Sequence, residues 1–277
     1  GHTVEDTIIA TKLLKEACFK VTYHVMPGLP GVTKQQDLNN FIELFRNQSF
    51  KPDMLKIYPC MVLKGTNLYK LYKNKKFKPL TTKKATSLIV EMKSVVPKYV
   101  RIMRVQRDIP SYMVEAGVDK TNLRQYIDLM MKNKKIVCKC IRCNEIGRNP
   151  IKGKIVFDYI TYSASEGIEF FIYAEIKDSL VGFARLRFST DSFRKEITAN
   201  SALLRELHVY GTAASMGVKS SSSQHKGVGI KLMHLAEKIA KTYYKDKMVV
   251  ISGVGVRGYY KSKLGYKQEG PYLVKKL

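Results

Sequence analysis

Apolar and polar positions alternate along the chain in two different textures. Residues 4–18 predict a helix, with Ile8, Ile9, Thr11, Leu13 and Leu14 near one another on its surface. Phe19 to Val25 predicts a strand, and Met26-Pro27-Gly28-Leu29-Pro30-Gly31 forces a loop. A second helix is expected over 35–46, then a short strand from Leu55 to Tyr58, closed by Pro59. Further helices are expected over 84–95 and 121–133, with a strand from Tyr99 to Val105 between them. Strand, loop, helix and strand in that order indicate parallel α/β architecture.

The texture changes after Cys143. Residues 153–162, 168–176 and 180–188 are alternating or β-rich runs joined by short polar loops, which suggests an antiparallel meander. A strand at 204–210 follows. Then come a polar stretch (Ser215 to Ser223), a long helix (226–242), a strand (247–252), a short helix (256–263) and a last strand near 272–275. The main boundary falls near residue 150, and no internal repeat is visible.

Charge adds a partner to this outline. The chain carries 49 basic and 23 acidic residues, a net +26. Residues 1–150 hold 28 and 12 of these (+16), and residues 151–277 hold 21 and 11 (+10). Such an excess favours a polyanion, although a lysine-rich solvated surface would look the same. Between 68 and 84, Lys70, Lys73, Lys75, Lys76, Lys78, Lys83 and Lys84 are interleaved with Tyr69, Tyr72 and Phe77. That pattern suits an RNA backbone with base stacking. Arg101, Arg104 and Arg107 form a second basic group, in which Arg107 could instead pair internally with Asp108. No apolar run is long enough to span a bilayer and no signal pattern opens the sequence, so a cytoplasmic protein with no membrane partner is expected. A homodimer or larger assembly is compatible with the sequence.

The odd count of five cysteines and their scattered placement argue against a disulfide framework. Cys138, Cys140 and Cys143 lie within six residues and suggest a zinc site, which needs a fourth ligand. Cys60, just after a strand end, is the candidate. Unligated thiols or an iron–sulfur site are the alternatives.

The segment Gln224-His225-Lys226-Gly227-Val228-Gly229 sits between a strand and a long helix. Its glycines let the backbone approach a ligand, and the helix start offers free N–H groups and a positive dipole end to a pyrophosphate. The preceding strand, which includes Glu206, Leu207, His208 and Val209, could pair with an amide-rich ligand arm. A tyrosine-rich turn with Tyr259 and Tyr260 follows the helix, ahead of Gly265-Tyr266. Taken together, these features resemble the GNAT acetyltransferase superfamily. The resemblance implies acetyl-CoA as ligand, with the strand residues, the glycine loop and a tyrosine around it. That tyrosine commonly lies four residues before the glycine of the Gly-aromatic pair; here Lys261 holds that place, so Tyr259 and Tyr260 both stay candidates.

Longer strings narrow the resemblance. Leu204 to Gly211, Gln224 to Gly229, Ile251-Ser252-Gly253-Val254-Gly255 and Gly270-Pro271-Tyr272 are similar to the Elongator catalytic-subunit family. So are Gly1-His2-Thr3-Val4, Met26 to Gly31, Leu55-Lys56-Ile57-Tyr58-Pro59, Lys64-Gly65-Thr66 and Arg104 to Pro110, which match its radical-SAM part. The resemblance implies an α/β chain: the C-terminal half of a radical-SAM TIM-type barrel, then a GNAT fold. It assigns 1–135 to a partial barrel and tRNA-binding region, 136–150 to a cysteine-rich zinc linker and 151–277 to the acetyl-CoA domain. It implies acetyl-CoA-dependent modification of the wobble uridine at carbon 5, of carboxymethyl type, with the tRNA anticodon region as partner. Lys56 and Tyr58 match the family's catalytic Lys-x-Tyr. No iron–sulfur cysteine set precedes Cys18, so the chain reads as truncated, with S-adenosylmethionine and a 4Fe–4S cluster expected only in a full-length form. The alternatives are a protein lysine acetyltransferase and a non-catalytic RNA-binding module with a vestigial CoA pocket.

Overall fold

A computed structural model describes residues 1–147, 151, 153–189, 191–210 and 227–277. The chain divides into two compact units. One comprises Gly1–Val21, Gln48–Lys51 and Asn144–Leu277; the other comprises Thr22–Asn47 and Pro52–Cys143. The first helix, α1 (Val4–Glu16), therefore belongs with the C-terminal residues, not with the strands that follow it in sequence.

The second unit is built from βαβ connections. Its three-stranded sheet has the order β1 (Thr22–Val25), β2 (Met54–Ile57), β4 (Arg101–Arg104), and both pairings are parallel. Helix α2 (Lys34–Arg46) links the first two strands and starts with a capping box between Thr33 and Gln36. Helix α4 (Thr82–Ser94), capped by Thr81, precedes the third strand. Leu55, Ile57 and Ile102 of the strands are buried, as are Ala85, Leu88, Ile89 and Met92 of α4. The sequence pattern did not show the small pair β3 (Val62–Leu63) with β5 (Val114–Ala116), nor helix α3 (Asn67–Lys73) inside the lysine-rich stretch. Helices α5 (Leu123–Asn133) and α6 (Ile141–Asn144) complete this part of the chain.

The first unit holds a seven-stranded sheet. Its strands are β6 (Val156–Ala164), β7 (Gly167–Ile176), β8 (Ser179–Phe188), β9 (Ser201–Val209), β10 (Lys247–Val250), β11 (Lys267–Glu269) and β12 (Tyr272–Lys276), in the spatial order β11-β12-β10-β9-β8-β7-β6. All neighbours are antiparallel except β9 and β10. The first two hairpins close through Ser165-Glu166 and Lys177-Asp178, all four with positive φ. That geometry matches the twist of the flanking strands. Helix α7 (Val228–Thr242) joins the parallel pair, and α8 (Arg257–Leu264) follows β10.

The faces of the sheet differ in chemistry. Ala184, Leu186 and Phe188 of β8 share an apolar cluster with Leu232, Met233 and Ala236 of α7. The alternate residue Arg187 points the other way. There it meets Glu16 of α1 (Nε–O 3.1 Å) and Glu169 of β7 (3.1 Å). Arg205 of β9 also binds Glu169, at 2.9 Å, and Ser189 bonds to Glu16. Lys15 donates to the Lys51 carbonyl at 2.8 Å. Lys15, Glu16, Glu169, Arg187 and Arg205 are each at most 1% exposed. Ile9, Leu13 and Leu14 of α1 are exposed instead. The buried side of this helix is thus Thr11, Lys15 and Glu16, reversing what its apolar residues suggest.

Candidate functional site

Strand β9 opens a cleft halfway along its length. Ser201 to Leu204 pair with β10 from Lys247 to Val250, where β10 ends. Beyond that point, among the described residues, β9 pairs with β8 alone, out to Val209 against Gly182. The register shifts there: Leu186 faces Leu204 and Arg185 faces Glu206, so Arg205 is the extra residue of a β-bulge. A bulge bends its strand and increases the twist. On the side of β9 away from β8, Glu206 to Val209 thus lie past the end of β10.

A cavity of about 370 Å³ lies along this free half. Arg205 to His208 form one wall; Ile251, Ser252, Gly253 and Val256 form another, with Tyr260 of α8 beside them and Phe19 and Lys20 closing the rim. The Glu206 carboxylate accepts from Arg185 Nε at 2.9 Å and from Lys20 Nζ at 3.2 Å. Burial, reinforced by neighbouring Tyr259, pushes the Tyr260 hydroxyl up to about 12. Burial also raises Tyr259.

The start of α7 lies at the other end of the free half. Gly227 caps it with φ +88°, a conformation that disfavours any side chain, and so supplies no side-chain cap to the first helical N–H groups. A Cβ on Gly229 would sit 3.2 Å from the Tyr259 hydroxyl and 3.6 Å from Val209 Cγ2. Val228 is buried in the apolar cluster. Gln224, His225 and Lys226, together with the polar stretch before them, lie outside the described residues. The two tyrosines therefore separate: Tyr260 lines the cavity, and Tyr259 packs beside the glycine at the helix start. His208 stacks on Phe183, with ring centroids 6.0 Å apart.

In the other unit, the sulfurs of Cys138, Cys140 and Cys143 lie within 4.8 Å of one another. A short turn gathers them: the Cys143 amide donates to the Cys140 carbonyl at 3.0 Å, and the Ile141 amide donates to Val100 at 2.9 Å. Tetrahedral zinc–thiolate bonds would place sulfurs about 3.8 Å apart, so the group suits that metal. Hydrogen bonds from Cys138 and Cys140 hold the Cys143 thiol far below its usual range, with help from Lys93 and Arg124. Lys93 is completely buried and bonds to Asp128 at 3.0 Å. Cys60 is not in the group. It is buried elsewhere, its amide bonded to the Pro27 carbonyl at 2.9 Å and its thiol raised by burial and by Asp37. Among the described His, Cys, Asp and Glu residues, none joins the three sulfurs as a fourth ligand.

Comparisons with known proteins identify the family. Residues 52–157 match the radical-SAM C-terminal domain family. The whole chain is 46% identical to a tRNA uridine(34) acetyltransferase of Methanocaldococcus jannaschii, covering 53% of it. It is 41% identical to Elongator complex protein 3 of Danio rerio, covering 52%. The solved structure of archaeal Methanocaldococcus infernus Elp3 with an N-terminal deletion matches all of this chain and 68% of that one, with 44% identity and a TM-score of 0.93. The chain belongs to the Elp3 family. It spans about half the length of the curated relatives it matches. Its fold is the α/β arrangement of that family, radical-SAM barrel strands combined with an acetyltransferase fold.

The two Elp3-like residues of the barrel strands are also placed. Lys56 and Tyr58 are half-buried, on the face of β2 opposite buried Leu55 and Ile57. His24 and Arg104 are the register neighbours of Lys56. The Tyr58 amide donates to Val25 at 2.8 Å, and its ring meets His24 edge-on at 5.5 Å. Arg104, rather than Arg107, pairs with Asp108. Sequence reasoning missed Phe19 and Lys20 as part of the cavity rim. No local signal marks them, because only the docking of α1 brings them there. No helix among the described residues is long and apolar enough to cross a membrane.

Proposed function

We propose that this chain binds acetyl-CoA along the free half of β9 and serves modification of the wobble uridine of tRNA at carbon 5, giving a carboxymethyl-type group. The observation that carries the first part is the splay of β9 from β10 at the Arg205 bulge, with a cavity at one end and a glycine-capped helix start at the other. The tRNA part is supported by the M. jannaschii relative, a tRNA uridine(34) acetyltransferase, and by the +16 charge of residues 1–150.

Acetyl-CoA would supply an activated acetyl thioester. The N–H groups at Val228 and Gly229 receive the pyrophosphate, and the sequence resemblance adds Gln224, His225 and Lys226 to the residues that bind the ligand. The pantetheine arm lies along Glu206 to Val209, past the end of β10. Tyr260 stays protonated at neutral pH and faces the cavity, so it is our choice to orient the thioester or protonate its sulfur. Tyr259 supports the helix start through its contact at Gly229. Zinc held by Cys138, Cys140 and Cys143 would fix the chain around residues 138–143, with Lys93 and Arg124 offsetting the thiolate charge. Lys56 and Tyr58 act on the uridine-modifying side, at the parallel strands.

The test is release of free CoA from acetyl-CoA, with and without tRNA. The proposal expects tRNA to change the turnover rate while lysine peptides stay unacetylated. Peptide acetylation independent of tRNA would make the chain a protein acetyltransferase. Binding of tRNA with no turnover under either condition would make it a non-catalytic RNA-binding module.

A further inference from the structure

Among the buried side-chain atoms of the described residues that line the cavity, one hydroxyl has no hydrogen-bond partner. Ser252 follows β10 by two residues and lines the cavity between Ile251 and Gly253, across from the β9 bulge. Its Oγ is buried and has no hydrogen-bond partner among the described residues. The charged neighbours are committed: Glu206 to Arg185 and Lys20, Arg205 to Glu169 and the Phe19 carbonyl. A buried hydroxyl without a partner is destabilising and rare, and in native proteins it commonly marks a ligand or an unseen water.

We propose that Ser252 donates a hydrogen bond to the thioester carbonyl of the bound acyl group. This rests on the acetyl-CoA reading above and goes beyond it, by naming the group that distinguishes acyl-CoA from free CoA. A ligand anchored at the start of α7 and running along β9 reaches the Arg205–Ser252 end with its thioester. Leu207, Ile251 and Val256 supply apolar wall there, beside the charged Arg205 and Glu206. A carbonyl entering that wall loses water and needs one donor. The carbonyl is the better acceptor, because a thioester or thioether sulfur accepts only weakly. A change of χ1 rotamer turns the Ser252 hydroxyl into the cavity with no backbone movement.

The experiment compares wild type, Ser252→Ala and Ser252→Thr by calorimetry with acetyl-CoA and with CoA, and by infrared spectroscopy of acetyl-CoA labelled with carbon-13 at the carbonyl. We expect Ser252→Ala to weaken acetyl-CoA binding about tenfold, near 1.4 kcal/mol, while CoA binding stays at the wild-type level. Ser252→Thr should retain the acetyl preference. The bound carbonyl band should lie below its solution frequency in wild type and return toward it in Ser252→Ala. Equal loss of both ligands in Ser252→Ala would show a structural role and overturn the inference. An unshifted carbonyl band in wild type would overturn it whatever the variants do. Wild type that binds neither ligand would overturn the acetyl-CoA reading itself.

Discussion

The two faces of the seven-stranded sheet are held by opposite means. On one, α7 buries Leu232, Met233 and Ala236 against Phe170, Leu186 and Leu204. On the other, the end of α1 brings Glu16 to Arg187, while Glu169 links Arg187 to Arg205. Apolar packing is non-directional and tolerates small shifts. Buried ion pairs are directional and are costly when one partner is removed. The ionic face includes Arg205, the bulge residue that opens the cleft. The lesson is that one face supplies cohesion and the other fixes the shape of the site.

Substitutions can break that comparison. The largest effect should come from Glu169→Ala, which leaves Arg187 and Arg205 without their shared carboxylate. We expect about 3–5 kcal/mol of lost stability in urea unfolding, with weakened acetyl-CoA binding in the folded protein. Leu232→Ala, at a fully buried position of α7, should cost about 2–5 kcal/mol through its cavity, yet keep acetyl-CoA affinity. If both variants lose affinity alike, the ionic face has no special part in shaping the cleft.

This contrast also explains what the sequence could and could not show. The alternating runs marked β6, β7 and β8 to within a few residues, because strand periodicity is local. The glycines at 227 and 229 and the paired tyrosines were legible because backbone freedom and aromatic spacing leave local marks. The orientation of α1 was not. Its isoleucine and leucines suggested an apolar side, while Lys15 and Glu16 are buried by partners more than 150 positions away in the chain, among them Glu169 and Arg187. Cys60 looked like a fourth ligand because it was the remaining cysteine after a strand; the fold places it with Pro27 and Asp37 instead.

The cysteine group sharpens the comparison in the other unit, where buried cations and thiols meet. Elemental analysis should find about one zinc per chain, lost in Cys140→Ser and retained in Cys60→Ser. Metal-free protein of equal stability with freely reactive thiols would refute the site. A smaller effect is expected at high pH. Tyr260 ionises near 12 when folded against an ordinary value of 10.0, so its protonated form favours the folded state. That contribution is full below pH 10 and fades as pH rises from 10 to 12. Tyr260→Phe should flatten the alkaline stability profile over that window.

The central claim is that acetyl-CoA lies along the free half of β9 with its pyrophosphate at the start of α7. Calorimetric titration of acetyl-CoA into wild type and Gly229→Glu tests it most directly. A side chain at Gly229 would push against Tyr259 and Val209 and bring a negative charge to the phosphate position. The account predicts at least a tenfold loss of affinity, about 1.4 kcal/mol or more. A folded Gly229→Glu protein with wild-type affinity would contradict it.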